Sequence, residues 1–265
     1  MNTIFSSVTS ITGGGVRRPK ICFCGSWLPE AGFNPDALVQ AIPEKNGMKF
    51  TLYDENIEKY SDLLRITKES NGKLIPVSLL KYKGVTYPSI NTTGNYICSG
   101  GLAIGDTLVV RSCDGVIEAK KLDVMNLGIK GADKAKALIV GSVREKGSGI
   151  RVAKINLRSE WLYGTGFTKN RLVIASYKPG VITLKLQNEN IKQYSELVKY
   201  ARKHNAKLLQ VSEYPNHGKP VPYISVSGSF LYNAGFFKGN VYLAFYEYGL
   251  IRLIRLSYRA LGFGS

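Results

Sequence analysis

The chain has 265 residues, 44% of them hydrophobic and 11% aromatic, with 36 Lys and Arg against 19 Asp and Glu for a net charge of +17. That supports packed cores in one large or two ordinary domains, and the cationic excess points to a polyanionic partner such as nucleic acid. No run approaches the ~20 apolar residues that span a bilayer, and the start MNTIFSSVTSITGGG lacks the basic lead and apolar centre of a signal peptide, so no membrane association and a cytoplasmic location are expected.

Taken in order, the chain opens with a short strand pattern, TIFSSV (3–8), and a glycine turn, ITGGGVRRPK (11–20). The alternating segment ICFCG (21–25) follows, whose period of two turns one apolar row inward, as in a half-buried strand. Next comes a turn around an aromatic residue, SWLPEAGF (26–33), where Gly32 sits at a position that favours positive φ. LVQAI and GMKFTLY (38–53) then read as a hairpin, and IEKYSDLLRITKES (57–70) as a helix that covers the sheet with Ile57, Tyr60 and Leu64.

The series then recurs. KLIPVSLL, INTTG and the hairpin LVVRSCDGVIEA repeat it at an offset of 69, superimposing Ile21, Gly25, Trp27 and Gly32 on Ile90, Gly94, Tyr96 and Gly101. At an offset of 134 the whole pattern returns: Ile21 meets Ile155, Trp27 meets Trp161, Gly32 meets Gly166, Phe33 meets Phe167 and Pro88 meets Pro222. Its second-half elements are ALIVGSVRE, INLR, LVIASYKPGVITLKL, the helix IKQYSELVKYARKHN with Ile191, Tyr194 and Leu197 or Val198 inward, KLLQVSEY, ISVSG and VYLAFYEYGLIRLIRL. One register shared by Gly, Pro, Trp and apolar positions over about a hundred residues identifies a tandem duplication. We therefore expect a mainly β protein of two domains, 1–133 and 134–265. Each contains two repeats, about 1–57 and 73–121 in the first, about 137–191 and 207–257 in the second.

The segments PKICFCGSWLPEAGF (19–33) and VPYISVSGSFLYNAGFFKG (221–239) resemble the core of the SymE-type toxins in the AbrB/MazE superfamily. The first carries Pro19, Ile21, Gly25, Trp27, Leu28, Ala31, Gly32 and Phe33; the second carries Pro222, Ile224, Gly228, Leu231, Ala234, Gly235, Phe236 and Gly239, with Phe230 in the Trp place. In that superfamily two chains exchange hairpins to form one barrel. The resemblance thus implies two tandem swapped-hairpin barrels, each made of two repeats, and gives Trp27 and Trp161 a structural role in the turn. It also implies binding to DNA, or, on the SymE side, RNA cleavage.

The charge is not shared equally. Residues 1–133 hold 15 basic and 13 acidic residues, net +2, and residues 134–265 hold 21 and 6, net +15. The cations that favour a nucleic-acid partner are those the second half has without a basic counterpart: Arg158 where the first has Cys24, Lys169 for Pro35, Arg171 for Ala37 and Arg252 for Glu118. Arg151 and Lys154 join them from EKGSGIRVAK, which lacks the phosphate-loop pattern and reads as a strand-to-strand turn. On the second helix Lys192, Lys199 and Lys203 share a face with Arg202 beside it, whereas the first helix is balanced by Glu58, Asp62 and Glu69.

Chemistry beyond binding finds little support. The cysteines Cys22, Cys24, Cys98 and Cys113 contain no CxxC and lie far from the two histidines, so neither a metal nor another cofactor is expected. His204 and His217 have no histidine in the first-half copy and read as solvated, and the six second-half carboxylates are spread along the sequence. The expected function is non-enzymatic nucleic-acid binding by the basic second domain, DNA favoured, with the first as structural or partner-binding mate. Its alternatives are a SymE-like RNA-cleaving toxin and an assembly protein, for example of a phage particle, with a basic face toward nucleic acid or an acidic neighbour and a homo-oligomer or protein contact through the first domain.

Overall fold

The computed structural model describes residues 2–53, 60–82, 84–127, 129–131, 135–145, 147, 149–158, 160–187, 194–215 and 219–257. The chain divides into two compact units, Met1–Leu122 and Asp123–Ser265. The cut expected at 133/134 lies outside the described residues.

In the first unit, β1 (Asn2–Ser7), β2 (Thr9–Gly13) and β3 (Val16–Cys24) lead to the single-turn helix α1 (Trp27–Glu30) and the hairpin β4 (Leu38–Glu44) and β5 (Gly47–Tyr53). After helix α2 (Tyr60–Glu69) the series repeats as β6 (Lys73–Pro76), β7 (Ser78–Tyr82), β8 (Val85–Thr93), α3 (Tyr96–Ser99), β9 (Thr107–Cys113) and β10 (Val116–Lys121). The second unit follows the same plan: β11 (Lys136–Ile139), β12 (Gly141–Arg144), β13 (Arg151–Arg158), α4 (Trp161–Gly164), β14 (Leu172–Lys178) and β15 (Val181–Leu186), then helix α5 (Tyr194–Lys203). It closes with β16 (Lys207–Gln210), β17 (Ser212–Tyr214), β18 (Val221–Ser227), α6 (Ser229–Asn233), β19 (Val241–Glu247) and β20 (Leu250–Arg255).

Each unit holds a six-stranded and a four-stranded antiparallel sheet. The orders are β1-β9-β10-β5-β4-β6 with β2-β3-β8-β7, and β11-β19-β20-β15-β14-β16 with β12-β13-β18-β17. The repeats exchange strands: β1 pairs with β9 of the other repeat, β6 with β4, and β3 with β8 across the centre of the small sheet. None of the four sheets closes on itself, so the expected closed barrel is replaced by two open sheets per unit.

The reason lies in the lead strands, read above as single and observed as pairs. Val8, Val77, Val140 and Val211 separate the two members of each pair, and all are buried to 1% exposure or less. At each valine the chain leaves an edge of the large sheet and enters an edge of the small one, the way sheets turn a corner. The corner's backbone groups bond to the turn ahead of the opposite repeat's hairpin. Val8 N–H donates to the Asp106 carbonyl, Val77 to Ala37, Val140 to Asn240 and Val211 to Arg171, at 2.8–2.9 Å.

The Trp-Leu turns have a matching duty. Their C-cap carbonyls, at Ala31, Gly100, Thr165 and Ala234, accept N–H bonds from the hairpin tips Gly115, Gly47, Gly249 and Gly180 of the partner repeat, at 2.8–2.9 Å. A hairpin is thus locked by the other repeat's turn. Gly32, Gly101, Gly166 and Gly235 all have φ between 75° and 94°, as the turn requires. Leu28, Ile97, Leu162 and Leu231 are fully buried, and Trp27, Tyr96, Trp161 and Phe230 pack half-buried against the cores.

The covering helices differ from expectation in their inward face. Helix α2 buries Leu63 and Thr67 and α5 buries Ala201, while Tyr194 is about half exposed; the side chain of Tyr60 and residues Ile57 and Ile191 lie outside the description. Gln40, on β4, donates to the Thr67 hydroxyl at 2.7 Å, a helix-to-sheet bond that favours the Leu63/Thr67 row. No helix among the described residues is long and apolar enough to cross a membrane.

Candidate nucleic-acid interface

The outward rows of the second unit's small sheet bring cationic and aromatic side chains together. Ala153, Ile155 and Leu157 of β13 point into the core, so Lys154, Asn156 and Arg158 point out. Their cross-strand partners on β18 are Ser227, Ser225 and Tyr223. Across β18, Ser212 of β17 lies opposite Tyr223, and Tyr214 lies two residues along on the same side.

Contacts knit this face together. The Arg158 guanidinium stands 4.7 Å over the Tyr214 ring, and the Tyr214 and Tyr223 rings are 6.0 Å apart. Hydroxyls of Tyr223 and Ser225 lie 2.8 and 3.3 Å from Asn156 Oδ1, bridging the two central strands. Lys207 Nζ donates to the Ser227 carbonyl at 3.2 Å, which places a second ammonium beside the end of the row that Lys154 occupies.

The other expected residues disperse. Arg151 begins β13, exposed, directly opposite Arg144 in the ladder, and its guanidinium donates to Ser142 at 3.3 Å. Lys169 forms a 2.8 Å ion pair with Glu213, whose hydrogen bond holds the ammonium pKa above its usual value. Arg252 lies on β20 of the large sheet, 3.4 Å from Glu247. Arg171 is half-buried ahead of β14. Lys199, Arg202 and Lys203 are exposed along α5, and Lys192 lies outside the described residues. Of the ten, Lys154 and Arg158 share the small-sheet face, with Arg151 at its hairpin end.

Sequence reasoning missed Tyr214, Tyr223, Asn156 and Lys207. The alternation Lys-x-Asn-x-Arg in β13 was legible, but its cross-strand neighbours depend on a pairing between residues 65 to 73 positions apart.

His204 is exposed just past the end of α5, as the solvated reading has it, and it also borders a cavity. Between α5 and the outer side of the large sheet is a cavity of about 390 Å³, lined by Ser176, Thr183, Lys185, Glu196, Tyr200 and His204 among others. The imidazole stacks on Tyr200 with centroids 4.1 Å apart, and Nδ1 lies 2.9 Å from that residue's carbonyl, which accepts and so fixes the proton on Nδ1. His217 is outside the described residues.

Three of the thiols are biased toward their protonated form. All four cysteines are free, burial pushes the Cys22 and Cys24 thiols up, and a 3.1 Å hydrogen bond to Asp114 does the same for Cys113. No group of three or more His, Cys, Asp or Glu among the described residues could hold a metal ion.

No protein-family model matches the chain, and neither the curated proteins nor the solved structures searched contain a match.

Proposed function

We propose that this protein binds nucleic acid, with DNA favoured, through the outer face of the second unit's small sheet, and performs no catalysis there. The carrying observation is the Lys154, Asn156, Arg158 row set beside Lys207, Tyr214 and Tyr223. The half of the chain that carries this face, residues 134–265, has a net charge of +15, which attracts a polyanion from a distance. Strand exchange between repeats supports the further reading of each unit as a single-chain, open-sheeted relative of the AbrB/SymE swapped-hairpin barrels. On this reading the first unit, net +2 over its half, is the structural or partner-binding mate.

One observation favours a second reading, SymE-like RNA cleavage: Lys185, Glu196 and His204 line one cavity, supplying a cation, an acid or base and an imidazole.

One set of measurements tests both. Fluorescence anisotropy of labelled duplex DNA with the full chain, between about 50 and 200 mM salt, should show binding whose logarithm falls by roughly 0.9 per log unit of salt for each phosphate neutralised. Lys154→Glu with Arg158→Glu should abolish most of it, while the control Lys45→Glu with Lys81→Glu in the first unit should not. No binding of duplex DNA, single-stranded DNA or RNA at low salt, or equal loss from the control, overturns the proposal. RNA incubated in chelator should stay intact; cleavage that His204→Ala removes would replace binding with the second reading.

A further inference from the structure

Resting on the nucleic-acid reading above, we infer that the second unit's small-sheet face takes single strands, with bases stacked on the Arg158–Tyr214–Tyr223 cluster and the backbone running toward Lys154 and Lys207. Between the aromatic and lysine ends of the face the side chains are short, Asn156 opposite Ser225, with Ser227 and Ser212 flanking them on β18 and β17. Reading a duplex in its major groove takes a protruding element, a helix or a two-stranded ribbon, that fits a groove about 12 Å wide. The short polar residues of the face itself offer no such element, and the one ribbon of this sheet, β12 with the start of β13, carries Arg144 opposite Arg151 beyond the end of the face.

What the face does offer is planar surface. Tyr214 is 42% exposed, and the guanidinium 4.7 Å from its ring continues the stack with a second plane. Tyr223 lies 6.0 Å away at a tilt of 47°, so two rings and one guanidinium occupy one end of the sheet. Unstacked bases pack on such aromatic and guanidinium planes, and four-stranded sheets that read single strands stack two or three bases this way.

The cations sit where a backbone would run. Lys154 and Arg158 are four residues apart on one strand, a span of about 13 Å at roughly 3.3 Å per residue. The Lys207 ammonium joins the Lys154 end through its bond to the Ser227 carbonyl. Aromatic planes at one end, ammoniums at the other and small hydrogen-bonding groups between them suit a short extended strand. Hydroxyls and one amide set no strict base code, so sequence preference should be weak.

The test uses the full-length protein with labelled oligo(dT), oligo(U) and a mixed-sequence duplex. Oligo(dT) or oligo(U) should bind at least about fivefold tighter than the duplex, and the two arms show which sugar is preferred. Tyr214→Ala should weaken single-strand binding roughly tenfold, the scale of one lost stacked base, with little change in salt slope. Tyr214→Phe should stay within about twofold, because it keeps the ring. Thermal unfolding of each variant checks that the exposed substitution leaves the fold intact. Duplex binding as tight as single-strand binding, or a Tyr214→Ala chain that binds oligo(dT) and oligo(U) undiminished, overturns the inference while leaving nucleic-acid binding standing. Absence of binding to all three probes removes the broader reading with it.

Discussion

The two small sheets share a backbone plan and differ on one side. In the first unit the outward row of β3 is Lys20, Cys22 and Cys24, facing Thr93, Asn91 and Ser89; in the second the same row is Lys154, Asn156 and Arg158, facing Ser227, Ser225 and Tyr223. The inward rows barely change, Ile21 and Phe23 matching Ile155 and Leu157, all buried. A duplicated sheet keeps its core side because close packing punishes change there, and is free to vary the solvent side. The difference therefore locates where the two copies diverge.

The largest expected effect concerns what the copies share. Leu28→Ala and Leu162→Ala remove equivalent, fully buried side chains beneath the two Trp-Leu turns. Each should cost about 2–5 kcal/mol in chemical denaturation. A cost confined to one unit would break the structural equivalence of the repeats.

A smaller effect separates the copies in their docked hairpins. A Cβ on Gly100 would lie 2.3 Å from the Gly47 carbonyl oxygen, whereas the equivalent position in the second unit already carries the side chain of Ala234. Gly100→Ala should therefore destabilise by about 1–3 kcal/mol, and Ala234→Gly by no more than about 1 kcal/mol. Equal unfolding midpoints for the two variants would show that the hairpin tip yields freely.

The smallest effect transfers function. Cys22→Asn with Cys24→Arg gives the first unit the row of the second. Placed in a chain whose own binding row is lost through Lys154→Ala and Arg158→Ala, it should restore roughly one unit of salt slope in oligonucleotide binding. A flat salt response would mean that Tyr214, whose place the first unit fills with Leu80, is required as well.

Much of the fold was legible. Alternation marked β3, β8, β13 and β18, Gly and Pro-Gly marked the hairpins, and the shared offsets exposed four repeats before any coordinates. Tyr194 was misassigned inward because an apolar ring at helical spacing looks like core, yet its neighbours left it about half exposed. The valine corners were hidden because KLLQVSEY reads as an unbroken strand, and its bend at Val211 exists only through bonds to Arg171 and Asn170. The candidate site was half visible. Charge pointed to the second half and to Arg158, but Lys169 found a carboxylate partner, Glu213, 44 residues away that no linear spacing reveals.

The sequence by itself determined the duplication, the turn glycines and the uneven charge, because each depends on residue identity and on contacts within a few positions. Tertiary structure alone decided that hairpins dock on the other repeat's turns, that the sheets stay open, and that Tyr214, Tyr223 and Arg158 meet. These depend on pairing between strands many residues apart, whose register is set by the whole core rather than by any local segment.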